Sequence, residues 1–540
     1  MPIPPISKDT DFHRCVRTAG TTSFAENRDL NTGYFGFGPV GPPFLSVLLP
    51  PFMLKSRMRA FVSDFKAQAA AITADLGHRQ FIRTALRGYE VARDRRKGAF
   101  QSWSSARQAA AETKWEAINH LDEHLVALTR KLEARGTQVH WASTDAQARA
   151  IIAGILRAKK ARTVIKSKSM TSEEIHLNRA LEAEGFTVVE SDLGEFIVQL
   201  RHETPYHIVF PSMHLRRGEI RDLFQREVGD TPSDNPEDLT MVARRFMRQK
   251  YLQADVGFTG ANFAIAETGM ISITENEGNS RLTSALPKTM VTLLGIEKVL
   301  PRFADLALFL PMLATAGAGQ AMTGYNTMYS GPRQPGEPDG PEEWHVVLLD
   351  NGRTGMLADV EQRDALRCIR CGACLNVCPV YRNIGGHTYG TTYSGPVGSV
   401  ITPNLRGLQA WKHLSNASSL CGACTEACPV KIDLHHHLLQ NRRNAATAKP
   451  AFFERLGYRA FGWVARDPQF WRVAKKVGWL LQPLQSPVKG TRLDPARSWT
   501  HTRDLPRMPK ESFKDWWRQR KIDRTAGNRP GTDKPMAHLR

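Results

Sequence analysis

Apolar residues recur every three to four positions from Arg57 to about Arg135, most clearly in "WEAINHLDEHLVALTRKLEARG", where Gly136 ends the run. That spacing gathers the apolar side chains into one stripe and predicts a helical lead-in over 57–136. From Val139 the texture changes to short β-branched runs alternating with amphipathic segments. "ARTVIKSKS" predicts a strand, "SEEIHLNRALEAEG" a helix with an acidic first turn and a closing glycine, and "FTVVES" and "HIVFPSM" strands. "LRRGEIRDLFQREVG" and "PEDLTMVARRFMRQKYLQA" predict helices, and "VGFTGANFAIAETGMISITEN", "KTMVTLLG" and "EEWHVVLLDNG" complete the strands. Such alternation implies a mostly parallel sheet covered on both faces by helices, a fold that places ligands at the carboxyl ends of its strands.

The remaining texture divides the chain further. The expected layout is a flexible N-terminal arm over 1–56, the helical lead-in over 57–136 and an α/β domain over 137–355. A cysteine-rich helical domain follows over 356–446, then a basic helical region over 447–510 and a disordered tail over 511–540. At roughly 100 to 200 residues per domain, 540 residues accommodate these units. "FGFGPVGPPFLSVLLPPFML" (35–54) is the most apolar stretch, but five prolines and three glycines make it a turn-rich arm and exclude a membrane span. The first residues show no basic region followed by an apolar one, which predicts a cytoplasmic protein.

Charge is uneven. Residues 441–540 hold 23 Lys and Arg against 8 Asp and Glu, so +15 of the net charge of +20 falls there, together with six of the eleven tryptophans: Trp463, Trp471, Trp479, Trp499, Trp516 and Trp517. A basic, Trp-rich C-terminal region suits an acidic protein or the inner face of a membrane, or else is a solvated tail. With the charge confined to that end, no nucleic-acid partner is expected.

Seven of the eight cysteines lie in two short clusters; Cys15 stands alone in the arm. Cys368, Cys371, Cys374 and Cys378, followed by Pro379, have the C-x2-C-x2-C-x3-C-P spacing of bacterial ferredoxins. Zinc sites use C-x2-C pairs too, but they have no need of a third cysteine and a Cys-Pro. "SSLCGACTEACPV" (418–430) repeats "CIRCGACLNVCPV" (368–380) at an offset of 50, with seven of thirteen positions identical and Ser418 in place of the first cysteine.

In two-cluster ferredoxins the fourth cysteine of each motif serves the other cluster. Cys368, Cys371, Cys374 and Cys428 then hold one cluster, and Cys378, Cys421 and Cys424 hold a second with only three thiolates. The second is either a cube with Ser418, water or a partner's group on its fourth iron, or a [3Fe-4S] cluster that has lost that iron. Alternatively, Ser418 sits in a loop away from it. The long linker between the motifs and the following "DLHHHLLQNRRN" suggest a helical ferredoxin. His435, His436 and His437 are consecutive, splay around a helix and are expected at the surface.

The strings "VIKSKSMTSEEIHLN", "GFTGANFAIAETGMISITENEGNSRLTSALPKT", "GPEEWHVVLLDNGR", "CIRCGACLNVCPVYRNIGGHTYGTTYSGPVGSVITP" and "SSLCGACTEACPVKIDLH" closely resemble the lactate-utilisation protein B family. The resemblance spans about residues 75 to 480. It implies a Rossmann-like, LUD-type α/β domain and two [4Fe-4S] clusters held by the seven cysteines as divided above. The family also carries three cysteines in the second motif. It further implies an iron-sulfur subunit of an L-lactate oxidation system, which relays electrons to the other subunits of that system or to the respiratory chain.

A rival reading gives the α/β domain catalysis on a small carboxylate or acyl substrate. Its polar residues are Lys166, Lys168, Glu173, Glu174, Glu190, Glu195, Asn276, Glu277 and Asn279, and its candidate catalytic residues are Glu267, Arg281 and Lys288. No GxGxxG or GxxxxGK[ST] motif occurs at a strand-to-helix turn, so dinucleotide and triphosphate sites are not indicated.

Overall fold

The computed structural model describes residues 64–448 and 452–485 and part of 491–525. The predicted arm, with Cys15, lies outside the described residues. The lead-in contains the helices Leu76–Lys97, Trp103–Asn119 and Leu121–Glu133. The helical run in "WEAINHLDEHLVALTRKLEARG" breaks at His120, and Gly136 turns the chain at φ 87°.

Ten strands follow: β1 (Gln138–Ala142), β2 (Thr163–Lys166), β3 (Thr187–Glu190), β4 (Val256–Thr259), β5 (Phe263–Ile265), β6 (Met270–Glu275), β7 (Thr289–Gly295), β8 (Val299–Leu300), β9 (Tyr325–Tyr329) and β10 (Glu343–Leu349). Six form a wholly parallel sheet in the order β1-β10-β7-β4-β2-β3. Alternation along β10 explains the two layers of helices. Trp344, Val346 and Leu348 pack with Leu121, Leu125 and Leu128 on one face, while Val347 and Leu349 pack with Ile152 and Leu156 of the Asp145–Ala158 helix on the other.

The remaining strands form a smaller sheet in the order β8-β5-β6-β9, mixed in direction. This second sheet departs from the single sheet expected. Its β5–β6 hairpin turns at Gly269, φ 71°, where a Cβ would come within 2.6 Å of Lys131 Cβ. The hairpin thus lies directly against the Leu121–Glu133 helix.

Two predicted elements are corrected. "HIVFPSM" is no strand: His207 Nδ1 accepts from the N–H groups of Val209 and Phe210, and Tyr206 N–H donates to Pro211 O, folding the stretch into tight turns. "SEEIHLNRALEAEG" is two short helices, Met170–Glu174 and Leu177–Ala183, separated by His176 in the left-handed region. The cysteine-rich region contains the helices Ala373–Val377, Gly395–Arg406, Leu408–Asn416, Ala423–Ala427 and Leu434–Ala448. Its core is continuous with residues of Leu76–Lys97 and Leu306–Ala318.

Beyond it, Phe452–Arg466 and Pro468–Gln485 are helices that leave Phe461, Trp463, Trp471 and Leu480 exposed. The tail expected to be disordered contains the helix Phe513–Thr525; residues 526–540 lie outside the described residues. No helix among the described residues is long and apolar enough to cross a membrane.

Candidate iron-sulfur centre and the adjoining cavity

The two cysteine motifs fold alike. In each, a residue in the left-handed region (Arg370, φ 60°; Leu420, φ 55°) precedes a cysteine, a glycine with φ near 80° follows it, and a five-residue helix carries the next cysteine. Arg370 N–H donates to Cys368 Sγ at 3.4 Å, and at the matching place Leu420 N–H donates to Ser418 Oγ at 3.1 Å. Ser418 therefore occupies the loop position that Cys368 has in the first motif. Further N–H groups meet sulfur at Cys378 (from Tyr381, 3.5 Å) and Cys428 (from Ile432, 3.3 Å), contacts that favour thiolates.

Cys368, Cys371, Cys374 and Cys428 line one pocket with Val397 and Ile432. Burial pushes the Cys424 thiol up to about 12 and Cys428 up to about 11, and it raises Cys371, Cys374 and Cys378 as well. Neighbouring cysteines add to each shift. Cys428 feels Cys368, Cys371 feels both, Cys378 and Cys424 feel Cys421, and Cys374 feels Cys368, Cys371 and Cys424.

No three cysteine sulfurs among the described residues lie within 4.8 Å of one another. A single zinc ion with Zn–S bonds of about 2.3 Å would draw its sulfurs to roughly 4 Å apart. The donor set, seven thiols with backbone N–H groups aimed at sulfur, fits an iron-sulfur cluster. One group does have single-ion spacing, Glu203, His214 and His387. His214 Nε2 pairs with Glu203 at 2.8 Å and His387 Nε2 with Thr204 O at 2.7 Å, so these imidazoles already have partners.

The histidine run is corrected in part. His436 is exposed, but His437 is buried, with Nε2 3.0 Å from Asp364 Oδ2 and Nδ1 3.0 Å from Gln440 Oε1, while His435 Nδ1 lies 2.8 Å from Thr425 Oγ1. The run starts the Leu434–Ala448 helix, and that helix packs against the cysteine loops instead of standing free.

The cysteine loops are locked onto the α/β domain. Arg353 joins Glu174 (2.9 and 2.7 Å) to Glu297 (2.5 Å), Glu297 meets Arg370 at 3.2 Å, and Tyr393 Oη–H donates to Glu174 at 2.7 Å. Burial opposes these charges, but Arg353 and Arg370 outweigh it and hold the Glu297 carboxyl down at about 2. Beside this chain, Asn376 accepts at 3.0 Å from His207 Nε2 and donates to Gly317 O at 3.0 Å, so "HIVF" contacts the loop between two cysteines.

The carboxyl ends of β2, β3 and β4 open into a cavity of about 520 Å3 that also reaches Arg370 and Cys371. Lys168, Glu277, Asn276 and Asn279 line it. Lys166 is instead buried in an ion pair with Glu190 at 2.6 Å. Burial opposes its charge, but Glu190, Glu173 and Glu195 hold the ammonium above its usual range. Burial pushes the Glu195 carboxyl well up, with Lys168 opposing.

The LUD domain model matches residues 125–349, a 4Fe-4S dicluster domain matches 364–432, and the lactate utilisation protein B C-terminal model matches 433–522. Lactate utilization protein B of Bacillus velezensis is 43% identical over 452 residues, covering 82% of this chain and 94% of that protein. The protein of the same name from Bacillus subtilis is 42% identical with the same coverages, and that of Shouchella clausii 44% identical over 449 residues, covering 82% and 94%. The chain belongs to the lactate utilisation protein B family.

A crystal structure of a DUF162 family protein from Deinococcus radiodurans covers 42% of this chain and 98% of its own at 15% identity, with a TM-score of 0.24, which carries no argument. In this member of the lactate utilisation protein B family, the three candidate catalytic residues do not meet. Glu267 is exposed on the β5–β6 turn and accepts from Phe303 N–H at 2.7 Å. Arg281 is exposed with its guanidinium over the Tyr325 ring at 5.1 Å, and Lys288 precedes β7, 81% exposed, 3.5 Å from Glu342. Glu174, Glu297, Arg353 and Arg370 escaped the sequence reading as a group because more than fifty residues separate most of them. The one available signal was Arg370 itself, a cation lying inside a cysteine motif.

Proposed function

We propose that the protein is an iron-sulfur electron carrier of L-lactate oxidation that holds two [4Fe-4S] clusters and relays electrons to other components of the lactate-utilisation system. The first cluster takes Cys368, Cys371, Cys374 and Cys428. The second takes Cys378, Cys421 and Cys424, with Ser418 Oγ at its fourth corner. The observation that supports this reading is the doubled loop: the two cysteine turns share their backbone conformation and carry hydrogen bonds at matching places, including the one that Ser418 receives, and Cys428 of the second turn lines one pocket with Cys368, Cys371 and Cys374.

When bound, the clusters supply one-electron storage. The chain's own residues exclude water around the buried cysteines, donate N–H groups to sulfur and, through Arg370 and Arg367, place positive charge nearby. The domain layout expected from the sequence belongs to the same proposal: an α/β unit over 137–355, supported by six parallel strands with helices on both faces as in a Rossmann-like fold, and a cluster unit over 356–446.

The cavity beside Cys371 favours a second reading, in which the α/β domain takes the substrate itself. An anaerobic titration separates the two. The isolated, cluster-loaded chain should accept electrons from dithionite, with EPR signals of two reduced clusters, yet stay oxidised when given L-lactate without partners. Reduction by L-lactate alone would establish the second reading, and a dithionite-treated chain with no cluster signal would defeat both.

A further inference from the structure

The cavity at the strand ends has a use that the cysteine chemistry does not exhaust. Its volume, about 520 Å3, lies in the range of small-molecule sites, and it sits where open α/β sheets bind ligands. Its lining includes the cations Lys168, Lys298 and Arg370 and the carboxylates Asp192, Glu275 and Glu277. Lys168 Nζ donates to Val209 O at 2.7 Å and Lys298 Nζ to Ala261 O at 2.8 Å, so each ammonium has donors left over.

Arg370 lines both this cavity and the cysteine pocket. Its side chain is only 8% exposed; Nη2 meets Glu297 at 3.2 Å, while Nε and Nη1 are buried without a partner. The guanidinium lies over the Tyr393 ring at 4.8 Å, yet the three N–H groups of Nε and Nη1 find no hydrogen-bond acceptor, and a planar oxyanion answers such a fork best. Ile208, Phe210 and Leu313 add apolar surface to the lining.

We propose that this cavity binds a 2-hydroxy or 2-oxo carboxylate, its carboxylate held by Lys168, Lys298 and Arg370 beside Cys371. The choice of acid rests on the lactate-utilisation reading. The three cations hold the carboxylate end, and the apolar lining residues receive the carbon chain. A three-carbon acid fills a small part of the space, so the site accepts acids with longer alkyl chains as well. Binding there sets the ligand next to a residue of the first cluster without requiring any bond to form or break.

Isothermal titration of the anaerobically purified, cluster-loaded full chain tests this, with L-lactate, L-2-hydroxyhexanoate and inorganic phosphate as separate titrants. Both carboxylates should bind and compete with each other, the six-carbon acid at least as tightly, while phosphate should not bind. Lys168→Met and Lys298→Met should each weaken carboxylate binding tenfold or more, with iron content and EPR signals unchanged. Failure of both carboxylates to bind the iron-loaded chain, phosphate as the sole ligand, or unchanged affinity in both variants would overturn the inference. If the variants lose iron, the wild-type titrations decide. The carrier reading is judged by iron and EPR, so it survives a negative result here.

Discussion

Ser418 shows how far single residues could be read. The repeat at an offset of 50 identifies it as the odd position, but only the fold places its hydroxyl under the N–H of Leu420, as Cys368 lies under that of Arg370. Ser418→Cys should therefore give the second cluster a fourth thiolate and slow its loss of iron in air several-fold, measured by timed iron analysis. Unchanged air sensitivity would show that position 418 never approaches the cluster.

His207 was equally opaque, since an apolar-flanked histidine reads as part of a strand. In the fold, burial and nearby Lys168 push its imidazole down to about 3. The unfolded chain thus binds a proton that the folded chain refuses. Stability from this residue is complete above about pH 6.5 and is lost as pH falls toward 3, amounting to about 2 kcal/mol by pH 5. The thermal midpoint should drop between pH 7 and pH 5, and less so in His207→Leu; equal drops would contradict the assignment.

At the scale of elements, the parallel sheet was legible because strands buried on both faces are continuous apolar runs, as in "TMVTLLG" and "EWHVVLL". The second sheet was not, since β8 has two residues and β9 is only half-buried, so neither carries a strand's periodicity. Nor could the sequence reveal how closely the cluster domain meets the α/β domain. At Gly386 a Cβ would come within 1.7 Å of Tyr206 O, so the glycine there is required by backbone approach and not by turn geometry. Gly386→Ala should cost about 3 kcal/mol or more and release iron, read as a lowered thermal midpoint together with iron loss. A variant as stable as the wild type would mean that this contact is loose.

For the whole molecule, the charge map was plain from composition, but its meaning came from the helices. Phe452–Arg466 and Pro468–Gln485 expose Phe461, Trp463, Trp471, Val473 and Leu480 beside Arg459, Arg466, Arg472 and Lys475, an apolar and cationic surface that suits docking to an acidic component of the lactate-utilisation system. Removing residues 452–540 should abolish co-purification with such components while leaving iron content unchanged. Undiminished co-purification would dismiss the docking role, and loss of vesicle binding alone would reassign it to a membrane surface.

The doubled cysteine motif was the most legible feature of all, because its spacing is complete within a dozen residues; the ion chain through Glu174, Arg353, Glu297 and Arg370 was the least, because only the fold assembles it. The central claim is that this chain holds two clusters on seven cysteines. Iron and acid-labile sulfide analysis of the anaerobically purified protein tests it most directly. About seven to eight iron atoms and about eight sulfides per chain are expected, whereas about four of each, or zinc without sulfide, would contradict it.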